Sequence, residues 1–256
     1  MSHPRVQRLH YTLVDDSAYK GCPPIEGKAD GFRYHLTSGH LTVELEEDHS
    51  TVRSARDAVG PLLRAWEMDV VLRDGRGLLT FRYESADVVD VGPAGSGETV
   101  ARVVQDEVSC GLDAIVVHFQ RSEYPRPPSC FAVTPDVETL WQRLEMYHQG
   151  LEPRASMAYF CLTVVEWIGL GRSGGSKKGR PAAAKKFGIS LNLLDAIGSL
   201  SAPHRKHLPE RQLSGHEEDW LYGAVRLLIR RVAEVAQDPS AADRKITLAD
   251  HPLPGK

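Results

Sequence analysis

In the helical half of the chain arginine and histidine stand five residues apart as Arg143 with His148 and as Arg211 with His216. The pairing matters chemically because a guanidinium can hold a phosphate while an imidazole moves a proton. Five residues of helix turn through about 140° beyond a full turn, so Arg143 and His148 point apart and read as coincidence. Arg211 and His216 differ. Ser214-Gly215-His216-Glu217 has the pattern of a capping box, which leaves Arg211 in the preceding loop and His216 in the first turn of the last helix. His216 also precedes Trp220 by four residues, which places it on the side expected to face the bundle. A helix N-terminus disfavours imidazolium, so His216 is expected as a neutral general base. It would take the proton of a ribose 2′-hydroxyl while Arg211 held the phosphate. The competing reading is a solvated loop arginine followed by a histidine in a capping turn.

Glu166 is a lone carboxylate inside the apolar run "ASMAYFCLTVVEWIGLG". A buried carboxylate without a partner is costly, so Arg230, Arg231 or a backbone donor is expected to satisfy it. Facing His216 instead, it would complete an acid–base pair.

The stretch "GRSGGSKKGRPAAAKKFGIS" (171–190) carries six basic residues and no acid: Arg172, Lys177, Lys178, Arg180, Lys185 and Lys186. Gly179-Arg180-Pro181 between lysines resembles an AT-hook, whose arginine enters a narrow minor groove. The overlapping "AAAKKFGISLNLL" has Ala184, Gly188 and Ser190 at helix-turn-helix spacing. The following helix offers only Asn192 and Asp195 as polar side chains near its start, which is poor equipment for reading bases. The stretch reads first as a Gly/Ser/Lys loop leading into a helix, with phosphate-backbone contact as its functional alternative.

Other chemistries lack their residues. His204, His207 and His216 have no fourth ligand, so no metal is expected. "GLGRSGGSKKG" contains no Gly-Lys-Ser/Thr, and neither a Gly-x-Ser-x-Gly elbow nor a Cys/His nucleophile arrangement occurs. No cofactor is expected. The four cysteines are scattered, which suggests neither a disulfide framework nor a zinc site and fits a reduced, cytoplasmic setting. No long apolar run predicts a membrane span, and the N-terminus lacks a secretory pattern.

The elements that would position these residues fall into two groups. Residues 1–100 hold 11 basic against 16 acidic residues, and 101–256 hold 20 against 18. The near-neutral total of -3 argues against a protein that coats nucleic acid nonspecifically. In the front, "FRYHLTSGHLTVELEE" alternates about Ser38-Gly39 and predicts a hairpin. Val52, Ala55, Val59, Leu62, Leu63 and Trp66 recur at helical spacing, with Ser50 or Thr51 as cap and Gly60-Pro61 as an expected kink or break. "DVVLRDGRGLLTFRY" reads as a second hairpin, and "DAIVVHFQ" (113–120) as a last strand. After "EYPRPPSCFAVTP", which holds four of the sixteen prolines, the pattern is helical. Val137, Leu140, Trp141, Leu144, Tyr147 and Leu151 form one stripe, and the helix containing Glu166 is apolar nearly all round, as a central buried helix would be.

The helical region, with "RQLSGH" entering its final helix, resembles the HEPN superfamily, whose ribonuclease members carry Arg-x4–6-His with a polar residue after the arginine, here Gln212. The phrases "YHQGLEPRASMAYFCLTVVEW", "AAAKKFGIS", "WLYGAVRLLIRRVAEVAQDPSA" and "KITLADHPLP" also look like an uncharacterised group of bacterial proteins. The resemblance covers roughly 130–256, with a weaker echo in "LLRAWEMDVVL" and "LTFRYESADVVD". It implies a bundle that contacts nucleic acid, RNA before DNA, with metal-independent ribonuclease activity in defence or stress. It departs from the family at Ser214-Gly215, which bends the hexamer. Inactive HEPN-like domains serve as dimerisation or binding units, so a homodimer or protein partner is also implied.

The expected organisation is therefore an α+β fold. It comprises an α+β domain over 1–122, a Pro-rich linker over 123–133, a bundle of about four helices over 134–238 and an extended tail over 239–256. The alternatives are a non-enzymatic adaptor, and a DNA-binding regulator using 171–194.

Overall fold

The computed structural model describes residues 3–29, 31–75, 79–91, 99–104, 120–171, 178–202 and 213–254. The chain is α+β and divides into two units, Met1–Ser129 and Cys130–Lys256.

In the front unit, β1 (His3–Leu13), β2 (Ile25–Ala29), β3 (Phe32–Thr37), β4 (His40–His49), β5 (Phe81–Val91) and β6 (Thr99–Val104) form one sheet. Their order is β2-β3-β4-β1-β5-β6, and every neighbouring pair is antiparallel. The hairpin about Ser38-Gly39 forms as expected. Both residues have positive φ, 48° and 75°, which gives the twist a two-residue turn needs. Leu41, Val43 and Leu45 point into the core and His40, Thr42 and Glu44 away from it, the alternation of a half-buried strand.

β1 needs one extra residue to do the same. The register shifts between Val6 and Arg8, where Gln7 is the added residue against β5. Val6, Leu9 and Tyr11 are buried, so the bulge turns Arg8 and His10 to the open face that plain alternation would have denied them.

α1 (Val52–Asp74) covers the other face, packing Val59, Leu63, Trp66 and Val70 against the sheet core. Thr51 caps it, accepting from the Ser54 amide at 3.1 Å. The break at Gly60-Pro61 and the second hairpin do not occur. Pro61 does not break the helix, because Asp57, whose carbonyl it frees, and Pro61 itself both lie on the solvent side. Val70–Leu72 are helical and not the first strand of a hairpin, because burying all three, with Val70 in the sheet core, outweighs the β-branched preference of the two valines. The strand expected over 113–120 lies outside the described residues.

The proline-rich segment is divided between the units. In the front unit the Tyr124 hydroxyl accepts from the Gly39 amide at 3.0 Å, and the Pro125 carbonyl accepts from the Trp66 indole at 3.1 Å. In the other, Ala132 donates to the Ala233 carbonyl at 3.1 Å.

The helical unit contains α2 (Pro135–His148), α3 (Arg154–Gly169), α4 (Gly179–Phe187), α5 (Leu191–Ser201) and α6 (Gly215–Gln237). The capping box forms, with the Ser214 hydroxyl accepting from the Glu217 amide and Glu217 accepting from the Ser214 amide. α3 lies at the centre and packs Met157, Ala158, Cys161, Leu162, Val165 and Ile168 among the other helices.

The segment after α6 is tied to the helical unit at several points. Pro239–Asp243 form a 3-10 turn, and Ile246 bridges to Ile189. The Ser190 amide donates to the Ile246 carbonyl at 2.7 Å, and the Ile246 amide donates to Gly188 at 2.8 Å. Gly188 is left-handed at φ 61°, and a Cβ there would strike the Ala242 backbone. Further on, His251 stacks on Trp220 at 5.0 Å and donates through Nε2 to the Trp220 carbonyl at 2.8 Å. Backbone pairing and this aromatic contact hold the tail against the helical unit.

Candidate functional site

Glu166 is satisfied by a residue from the basic stretch. Arg180, in the first turn of α4, donates through Nε to Glu166 at 2.8 Å and through Nη1 to Asp195 of α5 at 2.8 Å. A Cβ at position 198 would collide with the Arg180 guanidinium, so Gly198 makes the room in which it lies. The hydrogen bond to Asp195, followed by that to Glu166, raises the Arg180 guanidinium against the lowering effect of its own burial. The partners expected for Glu166 are engaged elsewhere. Arg231 donates to the Ala241 carbonyl, and Arg230 lies 3.5 Å from Glu234.

His216 is exposed and does not face the bundle. Trp220 is buried, yet of Gly215 to Asp219 only Glu217 is half-buried and the rest are exposed. Nor does His216 meet Glu166. Arg154 at the start of α3 donates to Asp219 of α6 at 3.0 Å, which fixes the two helix starts together. Glu166 lies twelve residues further along α3, about 18 Å at the helical rise, so the acid–base pair is not formed. Arg211 lies outside the described residues, as do Arg172 and Lys177, and so do His204 and His207.

Of the remaining cations, Lys178, Lys185 and Lys186 are exposed on or beside α4. Lys186 also donates to the Ile168 carbonyl at 3.1 Å, covering an otherwise open end of α3. α4, Gly188 and α5 do make a helix-turn-helix, with the Ser190 hydroxyl capping α5. The exposed positions of α5 are Leu191, Asn192, Asp195 and Ser199, which carry a carboxylate and no cation. A face of that composition offers a phosphate backbone no cation.

α3 departs from the expected all-round burial. Tyr159 and Trp167 are 46% and 47% exposed, and Thr163 stands between them, one turn from each. The Thr163 hydroxyl donates to the Tyr159 carbonyl at 2.8 Å, which leaves its methyl group outward. Beside this stripe, Tyr159, Thr163, Glu166, Arg180, Leu191 and Asp195 line a groove of about 440 Å³.

A second polar cluster joins α2, α3 and α6. Arg143 donates to buried Glu152, which also accepts from Ser156 at 2.8 Å. His148 meets the Tyr222 hydroxyl at 2.9 Å, and Arg154 donates to the Tyr147 hydroxyl through both Nε and Nη2. Burial alone would lower the Arg154 guanidinium, but its bonds to Tyr147 and Asp219 carry it upward. Arg143 and His148 thus serve different partners, as their angular separation requires. Burial pushes the Cys161 thiol far above its ordinary range, which suits packing and not nucleophilic work. Among the described residues no cluster of metal-ligating side chains occurs, and no helix is long and apolar enough to cross a membrane.

Comparison with family models, with curated proteins and with solved structures found no match to the chain in any of the three.

Proposed function

We propose that the helical unit is a non-enzymatic interaction module of a cytoplasmic protein, joining two copies of the chain through α3. One observation carries this reading: the central helix of the unit keeps an aromatic stripe, Tyr159–Thr163–Trp167, on its open side. Large exposed aromatic side chains in line are the usual anchors of protein interfaces. The stripe is also self-complementary. Antiparallel copies related by a twofold axis at Thr163 would set Tyr159 of each against Trp167 of the other. The rim carries both signs, Arg180 with Asp195 and Glu166, so a second copy meets no like-charged wall.

The test is the mass of the full chain in solution by light scattering. The wild type should run as a dimer, and Tyr159→Glu with Trp167→Glu as a monomer of unchanged helicity. Thr163→Cys should cross-link to itself under mild oxidation. A wild type that stays monomeric at all concentrations overturns the reading.

Contact with RNA by a HEPN-like bundle is a second reading, favoured by exposed Lys178, Lys185 and Lys186 on or beside one short helix and by Arg172 and Lys177 just before it in the sequence. Replacing the three lysines by glutamate should abolish a salt-dependent RNA affinity. Cleavage that disappears in His216→Ala would restore the ribonuclease role for Arg211 and His216.

A further inference from the structure

The open face of the front sheet holds three residues that no local spacing joins. His10 on β1 is directly opposite Thr42 on β4, and Asp87 reaches His10 diagonally from β5. His10 Nε2 lies 3.1 Å from Asp87 Oδ2, and His10 Nδ1 lies 3.3 Å from Thr42 Oγ1. The partners set the proton positions. An ionised carboxylate only accepts, so Nε2 carries the hydrogen and donates to Asp87. In the neutral imidazole Nδ1 then presents its lone pair, and the Thr42 hydroxyl donates to it. This is the order in which an acid orients an imidazole and the imidazole draws the proton from an alcohol.

The surroundings suit a substrate. Arg8, His10, Arg33, His35, Thr42 and Glu44 line one groove of about 760 Å³. His35 sits across from Thr42 on β3, on the side away from His10. Arg8 is committed to Glu44, with hydrogen bonds of 2.9 and 3.1 Å. Arg33 has only a 3.5 Å contact to Glu46, and its side chain is 69% exposed. The contacts Arg8–Glu44, Arg5–Asp48 and Lys28–Glu46 pair a cation with a carboxylate; this one ends on a hydroxyl.

We propose that Thr42 is the nucleophile of a hydrolytic site on the open face of the front sheet, acting on small carboxylic esters, with His10 as general base and Asp87 as the residue that positions it. Thr42 Oγ1 bonds to the ester carbonyl carbon while its proton passes to His10 Nδ1. The carbon–oxygen bond to the alcohol breaks, and that proton leaves with the alcohol. Water then attacks the acyl-threonine, gives a proton to His10 and frees the acid, and His10 returns the proton to Thr42. Arg33 and His35 are the groove's donors for the carbonyl oxygen as it becomes an oxyanion.

The experiment treats the full chain with a fluorophosphonate, which forms a phosphorus–oxygen bond to an activated hydroxyl and releases fluoride, and maps the adduct by mass spectrometry. One adduct is expected, on Thr42, in folded and not in urea-unfolded protein. His10→Gln should slow it roughly 100-fold. Thr42→Ser should keep it and Thr42→Ala should lose it. Asp87→Asn should slow labelling and Asp87→Glu should recover part of the rate, which a merely structural role would not produce. The wild type should also hydrolyse p-nitrophenyl acetate with a burst that Thr42→Ala lacks. Folded wild type without an adduct on Thr42, or an adduct formed at the same rate in folded His10→Gln, overturns the proposal.

Discussion

Glu166 and Arg180 are fourteen residues apart and share a hydrogen bond of 2.8 Å that ties α3 to α4. One belongs to the residues that could have moved protons and the other to those that could have gripped phosphate. Bonded together, and with Asp195 on the same guanidinium, they offer neither service.

Arg180→Ala should therefore cost stability and not RNA affinity. It leaves Glu166, with only 16% of its side chain exposed, without its cation. A loss of about 1–2 kcal/mol is expected by urea unfolding, the pair being partly open to water. The double variant with Glu166→Ala should lose less than the two single losses combined.

Breaking the pair in the second cluster should cost more. The Glu152 side chain is 5% exposed and Arg143 reaches it beside Ser156. Arg143→Ala strands a buried carboxylate, so a loss of about 3–5 kcal/mol is expected in the same measurement. A smaller effect than that of Arg180→Ala would contradict this ranking.

Glu67 makes the stability of the front unit depend on pH. Burial pushes its carboxyl above the ordinary range, while the Phe81 amide, donating at 2.7 Å, and Arg64 pull it part of the way back. The native state keeps this proton to higher pH than the unfolded chain. Native protein thus binds more protons between the two values, and stability falls as pH rises through that window. Glu67→Gln keeps an acceptor for Phe81 and removes the ionisation. It should gain on the wild type as pH rises from about 4 to 7 in paired thermal melts. A difference that stays flat across that range would show that the group does not contribute.

Gly188→Ala should loosen the clasp around Ile246. The added methyl group meets the Ala242 backbone, and φ 61° is strained for any L side chain. Trypsin cleavage after Arg244 or Lys245 should accelerate while the far-ultraviolet helix signal stays. Equal digestion rates would mean that the Ile246 contacts hold without Gly188.

Legibility in the sequence followed the range of the interaction. The β3–β4 hairpin was readable because alternation and two turn residues sit within one short window. α6 was readable from Ser214 and Glu217, which satisfy each other three residues apart. α1 was misjudged at Val70–Leu72, where burial against a sheet formed from distant strands overrides local preference. Arg180 could not be assigned to Glu166 because nothing near either residue specifies the crossing of α3 and α4. The histidine and aspartate on the open sheet face are 77 residues apart, so only the fold brings them together.

The bulge in β1 has a consequence for how the front unit tolerates change. Gln7 is exposed, and nearly any side chain should serve in its place. Deleting it should also be tolerated. Val6 would then stand next to Arg8, and plain alternation would keep Val6, Leu9 and Tyr11 on the core face and Arg8 and His10 on the open one. At this position the core constrains neither the identity of the residue nor the length of the chain.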